Sequence, residues 1–140
     1  LVILGEGPER QNIIDLIKSL NLMDEVFLLG HKSNPFPLIK NASIFVLSSD
    51  NEGFGLVLVE ALALKKQIVS TDCPSGPKEI LKDGKFGKLV PVNNAAKLSE
   101  GLLAMLNGEI FFEERSLFKR AQSFSVENCF REFSNLLNEA

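Results

Sequence analysis

Glu52 and Glu60, with seven residues between them, stand at either end of a short stretch where an apolar run gives way to a helix. The stretch reads Ile44-Phe-Val-Leu47, then a polar turn Ser48 to Asn51, then Glu52-Gly53-Phe54-Gly55, then Leu56-Val57-Leu-Val-Glu60-Ala-Leu-Ala-Leu64. A carboxylate inside so apolar a helix is costly unless something hydrogen-bonds or neutralises it. Helical residues rise about 1.5 Å each, so Glu60 lies within roughly 8 Å of the helix start near Gly55, and Leu56 shares its face. The first amides of a helix lack partners, and the dipole there favours anions, phosphate above all. Gly53 and Gly55 remove bulk where a ligand could approach the backbone. Phosphate at the amides and hydroxyls at the two carboxylates describe a nucleotide sugar. The plainer alternative makes Glu52 a first-turn acid and Glu60 the partner of a buried Lys or Arg. The two glycines, the strand–turn–helix context and the apolar setting of Glu60 favour the ligand.

The elements that position this stretch can be read along the chain. Ile44–Leu47 fits a strand buried on both faces, and the helix after Gly55 is apolar nearly all round, as buried helices are. Leu1–Leu4 is a strand ended by Gly5-Glu6-Gly7-Pro8, a turn that could let backbone approach a ligand and that lacks the third glycine of a dinucleotide fingerprint. A helical stripe follows through residues 9–20. Val26–Leu29 is the second strand, closed by Gly30, with His31 and Lys32 at its carboxyl end, where open α/β sheets bind ligands. Pro35–Asn41 holds a short helix. Gln67–Ser70 is the fourth strand, Thr71–Pro77 a loop, Pro77–Leu81 a short helix, Asp83-Gly84-Lys85 a turn and Lys88–Val90 the fifth strand. Amphipathic helices then run through Ala95–Leu106, Phe111–Ala121 and, N-capped by Ser125, Val126–Leu137. Strand–helix alternation implies a Rossmann-like α/β fold, a parallel sheet of about five strands with helices on both faces.

Composition excludes several classes. The chain has 140 residues, close to half of them apolar, and a formal net charge of −3. It is a globular domain with a proper core and no basic footprint for nucleic acid. Cys73 and Cys129 are too few and too scattered for a disulfide framework or a zinc site, and read as reduced thiols of a cytoplasmic protein. No stretch approaches the ~20 apolar residues of a spanning helix. Leu1–Leu4 already sits in a strand, so the chain reads as a piece of a longer one.

At this point the residues resemble a known family. Glu52-Gly-Phe-Gly-Leu-Val-Leu-Val-Glu60 is similar to the Glu-x7-Glu motif of the retaining family 4 glycosyltransferases of GT-B fold. The likeness extends, in the family's order, to Gly5-Glu-Gly-Pro8, Val26-Phe-Leu-Leu-Gly30 and Ser70-Thr-Asp-Cys-Pro-Ser-Gly-Pro-Lys-Glu-Ile80. It implies that residues 1–140 are the carboxy-terminal, donor-binding domain, with 123–140 a helix docking on an absent amino-terminal domain.

Roles follow residue by residue from the resemblance. Glu60 would hold the ribose hydroxyls. Glu52, the catalytic candidate, would contact the donor sugar beside the reacting carbon. The amides around Gly55, Leu56 and Val57, with Gly53 and Phe54 before them, would hold the diphosphate. The Gly5 turn and the His31–Lys32 loop would border the nucleotide, and the loop from Thr71 to Pro77 would lie beside the donor pocket. No metal and no cofactor are expected, because amides and cations neutralise the leaving group. The implied reaction transfers a sugar with retention from a nucleotide donor, uridine rather than guanosine, to a saccharide or lipid-linked acceptor. It would run in the cytoplasm, with peripheral membrane contact through the absent domain. A non-catalytic nucleotide-sugar-binding module and a sugar-nucleotide epimerase of GT-B architecture are the alternatives.

One departure matters. The family's first strand of this domain, and the following helix with its diphosphate-binding Arg and Lys, have no counterpart, so the piece alone is expected to be inactive. In the order 3-2-1-4-5-6 that strand is central. Either a groove remains between Leu1–Leu4 and Ile44–Leu47, or the two strands pair directly.

Overall fold

Five short apolar runs, each stopped by a glycine, proline or polar turn, form strands, and seven helices alternate with them among the described residues. The structure, a computed structural model, describes residues 1–138. Two compact units arise, Leu1–Leu38 and the chain from Ile39 onward. In the first, β1 (Val2–Ile3) and β2 (Phe27–Leu28) pair in parallel, joined by α1 (Arg10–Ser19), which buries Ile17. Past the ends of these strands the Leu29 amide donates to Ile3 O at 3.0 Å and the Gly5 amide to Gly30 O at 2.9 Å. The helix α2 (Phe36–Asn41) follows and crosses the unit boundary in sequence.

The second unit is built on a parallel sheet of order β3-β4-β5, made by Ile44–Leu47, Gln67–Thr71 and Lys88–Val90. Val46 pairs with Val69, and Ser70 with Leu89. Side chains alternate between its two faces. Ile68, with Phe45 and Leu47, meets one apolar cluster formed with Leu58, Leu62, Ile80, Leu81 and Leu117; Val69, with Ile44 and Val90, meets another formed with Met105. The first cluster belongs to α3 (Leu56–Ala63), α4 (Pro77–Ile80) and α6 (Glu114–Gln122), the second to α5 (Ala95–Leu106). Helices therefore cover both faces, as strand–helix alternation implied. Gln67 locks the approach to α6: its Nε2 donates to Phe112 O at 2.8 Å and its Oε1 accepts from the Phe112 amide at 2.9 Å.

The five strands pair in parallel as β1-β2 in the first unit and β3-β4-β5 in the second. Two expectations need correction. β3 is half-buried along its whole length, because it is an edge of its sheet with one paired neighbour; β4, in the centre, carries the buried pattern instead. The helix over 111–121 begins at Glu114. Its register is set by Glu113, whose carboxylate accepts from the Arg115 and Ser116 amides at 3.0 and 2.8 Å and from the Ser116 hydroxyl at 2.6 Å. These bonds satisfy donors that the helix itself leaves open.

The Ser116 hydroxyl bond is the foremost influence holding the Glu113 pKa below its ordinary value; the slight loss of solvation opposes it, and the Ser116 and Arg115 amides reinforce it. A carboxylate depressed in the folded state stabilises above its unfolded pKa, about 4.3, and loses that contribution as pH falls through the folded value. Glu113→Gln should therefore lower the urea midpoint near neutral pH, and the gap from the native protein should close on acidification. Denaturation at a series of pH values checks this; a gap that widens in acid contradicts it.

The last helix, α7 (Val126–Asn138), is capped as expected: the Ser125 hydroxyl accepts from the Asn128 amide at 3.3 Å. None of its residues is buried, and Phe130, Phe133, Leu136 and Leu137 are all exposed. Both cysteines are free, Cys73 buried and Cys129 exposed. No described helix is long and apolar enough to cross a membrane.

Candidate functional site

The β3–α3 junction turns on Gly55. Its φ of 87° and ψ of 45° are left-handed, a conformation costly for any residue with a Cβ, and it is the N-cap of α3. Its carbonyl accepts the Leu58 amide at 2.8 Å. Among the described residues the Gly55, Leu56 and Val57 amides donate to nothing. Three unpartnered donors thus sit at the positive end of the helix dipole.

The helix is not buried all round. Leu58, Ala61 and Leu62, spaced three and four apart, form its packed face against β4 and α6, whereas Leu56 is 65% exposed and Val57 is exposed as well. One open face remains, and Leu56 and Glu60 share it by their spacing of four. Glu60 is half-buried, and among the described residues its carboxylate has no ion pair and no hydrogen bond. The buried Lys or Arg that would have explained this acid without a ligand is absent among them.

Glu52 is half-buried too, and it is held. The Ser49 hydroxyl donates to its Oε1 at 2.7 Å. Gly53 is exposed, while Phe54 packs edge-on against Phe124 with ring centroids 5.8 Å apart. The loop after β4 supports the turn from beneath. Gly76 has φ 106°, and a Cβ there would overlap the Phe54 carbonyl outright. Only glycine permits that approach.

Two supporting residues were invisible in the sequence. Arg120 on α6 donates through Nε to Ile80 O at 2.9 Å and through Nη2 to Glu79 O at 2.7 Å, and its guanidinium lies 4.4 Å from the centre of the Phe124 ring. It ties the end of α4 to the Phe124 ring that packs against Phe54. Thr71, 4% exposed, donates to Ser49 O at 2.6 Å. Both link residues more than twenty positions apart, and nothing local in the sequence marks them.

The structure brings Glu52, Gly53, Phe54, Gly55, Leu56, Val57 and Glu60 into one strand–turn–helix. The other sequence candidates lie in the Leu1–Leu38 unit. Gly5, with φ 117°, is exposed after β1, and His31 and Lys32 are exposed after β2, with no polar partner for either side chain among the described residues.

A strand, a glycine turn, a helix with three free amides and an unpaired acid on its open face offer donors to an anion and an acceptor to hydroxyls. Comparison with known proteins bears on which. Residues 1–123 match the family model for glycosyl transferases, group 1. The chain belongs to that family. A Campylobacter jejuni relative, N-acetylgalactosamine-N,N'-diacetylbacillosaminyl-diphospho-undecaprenol 4-alpha-N-acetylgalactosaminyltransferase, is 42% identical over 109 residues, covering 78% of this chain and 30% of its own length. Among solved structures, a lipopolysaccharide outer core galactosyltransferase superposes with a TM-score of 0.88 at 24% identity, over 99% of this chain and 40% of that one. A mutant of S. aureus TarM in complex with Fondaparinux, alpha-GlcNAc-glycerol and UDP gives 0.77 at 26% identity, over 98% of this chain and 28% of that one. The fold is that of a GT-B glycosyltransferase, and the chain spans well under half the length of these relatives.

Proposed function

We propose that this chain is the donor-binding half of a retaining glycosyltransferase that uses a uridine diphosphate sugar. The observation that carries this is Glu60, a half-buried acid without a protein partner on the open face of α3, beside three free amides. In this reading the Gly55, Leu56 and Val57 amides hold the diphosphate, and Glu60 accepts hydrogen bonds from the two ribose hydroxyls. Glu52 contacts the donor sugar next to its anomeric carbon. The bond from the anomeric carbon to the diphosphate breaks and a bond to an acceptor hydroxyl forms on the same face, with the acceptor proton leaving on the diphosphate. Helix amides and cations carry the leaving-group charge, so no metal is required.

Uridine is favoured by the UDP in the TarM complex. A saccharide or lipid-linked acceptor is favoured by the undecaprenol-linked glycan named in the Campylobacter relative. The exposed apolar face of α7 fits a docking surface for a further domain, and any membrane contact would run through that domain.

The test is calorimetry of UDP and UDP-sugars against the chain extended to the length of its relatives, followed by a transfer assay. Micromolar binding and transfer that Glu52→Gln reduces at least ~100-fold are expected. Absence of binding contradicts the reading. Binding without transfer to any saccharide makes the protein a carrier module instead, and epimerisation without transfer makes it an epimerase.

A further inference from the structure

We infer that Ser49 and Thr71 form a two-hydroxyl brace that sets the Glu52 carboxylate for sugar transfer, and that both are positioning residues of the site. The inference rests on the transferase reading. Thr71 ends β4, in the middle of the sheet, and is 4% exposed, so its hydroxyl has almost no water to turn to. It donates to Ser49 O at 2.6 Å, with Leu47 O at 3.4 Å as a poorer second acceptor. Those two carbonyls belong to the last residue of β3 and to the loop beyond it. The neighbouring strand thereby pins the loop where the sheet ladder has ended.

From the pinned residue the Ser49 hydroxyl reaches Glu52 Oε1 at 2.7 Å. A hydroxyl donating to a carboxylate makes a strong, short bond. Glu52 Oε2 accepts nothing among the described residues and is left for a ligand. The chain of contacts is serial: strand β4 holds the loop, the loop holds Ser49, and Ser49 holds one oxygen of Glu52. The Glu52 carboxylate, followed on the loop by Gly53, has no other anchor among the described residues. Displacements of about 1 Å at a reacting centre cost on the order of 100-fold in rate.

The experiment uses the protein extended to the length of its relatives and a panel of UDP-glucose, UDP-galactose and their N-acetyl forms, reading UDP release with and without saccharide acceptors. Ser49→Ala should lower kcat about 10- to 100-fold while KM for the donor and UDP affinity stay within about threefold. Ser49→Thr should restore kcat to within about threefold. Thr71→Val should act the same way, more weakly, and Thr71→Ser should restore. Because the two act in series, Ser49→Ala with Thr71→Val should lose no more than Ser49→Ala alone.

If Ser49→Ala keeps native kcat while Glu52→Gln abolishes release, the brace is wrong and the transferase reading stands. If Glu52→Gln also keeps native kcat, or the native protein releases no UDP from any donor, both fail. If Ser49→Ala loses melting temperature, UDP affinity and kcat together and Ser49→Thr rescues none of them, the bond is merely structural and the inference is overturned. Should Thr71→Val fail to fold, the Ser49 pair decides.

Discussion

Glu60→Ala lowers the affinity for UDP by about 100-fold and leaves thermal stability unchanged or slightly raised. A hydrogen bond to a charged group is worth roughly 1.5–3 kcal/mol, and a carboxylate spanning two ribose hydroxyls makes two of them. Half of that gross sum is about 1.5–3 kcal/mol, and its upper end gives the stated factor after the carboxylate's own desolvation is subtracted. The stability half of the result is as informative. An acid in a protein ion pair would cost stability when removed. Glu60 has no ion pair among the described residues and sits half-buried in an apolar helix, so alanine, the best helix former, relieves the fold. Loss of affinity without loss of stability marks a residue kept for its ligand. Calorimetry and a melting curve on one variant check both halves; equal loss of stability and affinity contradicts them.

Gly76→Ala has the largest structural effect expected of any single substitution here, about 2–4 kcal/mol of destabilisation, with UDP affinity falling as well. The φ of 106° alone costs a residue with a Cβ about 1–3 kcal/mol. The Cβ also overlaps the Phe54 carbonyl, backbone rather than a flexible side-chain tip, so the collision has no cheap relief. Either α4 shifts, tearing the Arg120 bonds from Glu79 O and Ile80 O, or the Phe54–Gly55 turn lifts and the free amides lose their arrangement. Denaturant unfolding together with UDP titration checks this. Gly84→Ala is a useful companion: its φ of 88° carries the same backbone penalty, but a Cβ there meets nothing closer than 3.6 Å. It should cost only that backbone penalty, about 1–3 kcal/mol, and leave binding alone.

The path from residues to fold shows where sequence reasoning is strong. Periodicity is a local property, so the apolar runs and helical stripes marked all five strands, and the short helix starting at Pro77 was found from a proline suited to a first turn. Glu52-Gly-Phe-Gly and Glu60 were legible because an acid in an apolar helix breaks a physical rule. Burial was the weaker part. An apolar run does not say whether its strand will be central or at an edge, so Ile44–Leu47 reads as buried whereas β3 is half-buried. The same limit hid the exposure of Leu56 and Val57, since a helix apolar all round carries no mark of its open side. Support from a distance was not legible at all: Thr71 reaches Ser49, and Arg120 reaches the α4 carbonyls, across separations that only the folded chain closes.

One measurement goes directly to the claim that a ribose occupies the space before Glu60. UDP and 2',3'-dideoxy-UDP are titrated into the native protein, extended to the length of its relatives, and into its Glu60→Ala variant. Removing the ribose hydroxyls should weaken binding to the native protein by about 100-fold and to the variant by less than about threefold, because the acid and the hydroxyls are two ends of one interaction. An equal loss in both proteins would show that the hydroxyls are held elsewhere, and the donor-binding assignment of this helix would not survive it.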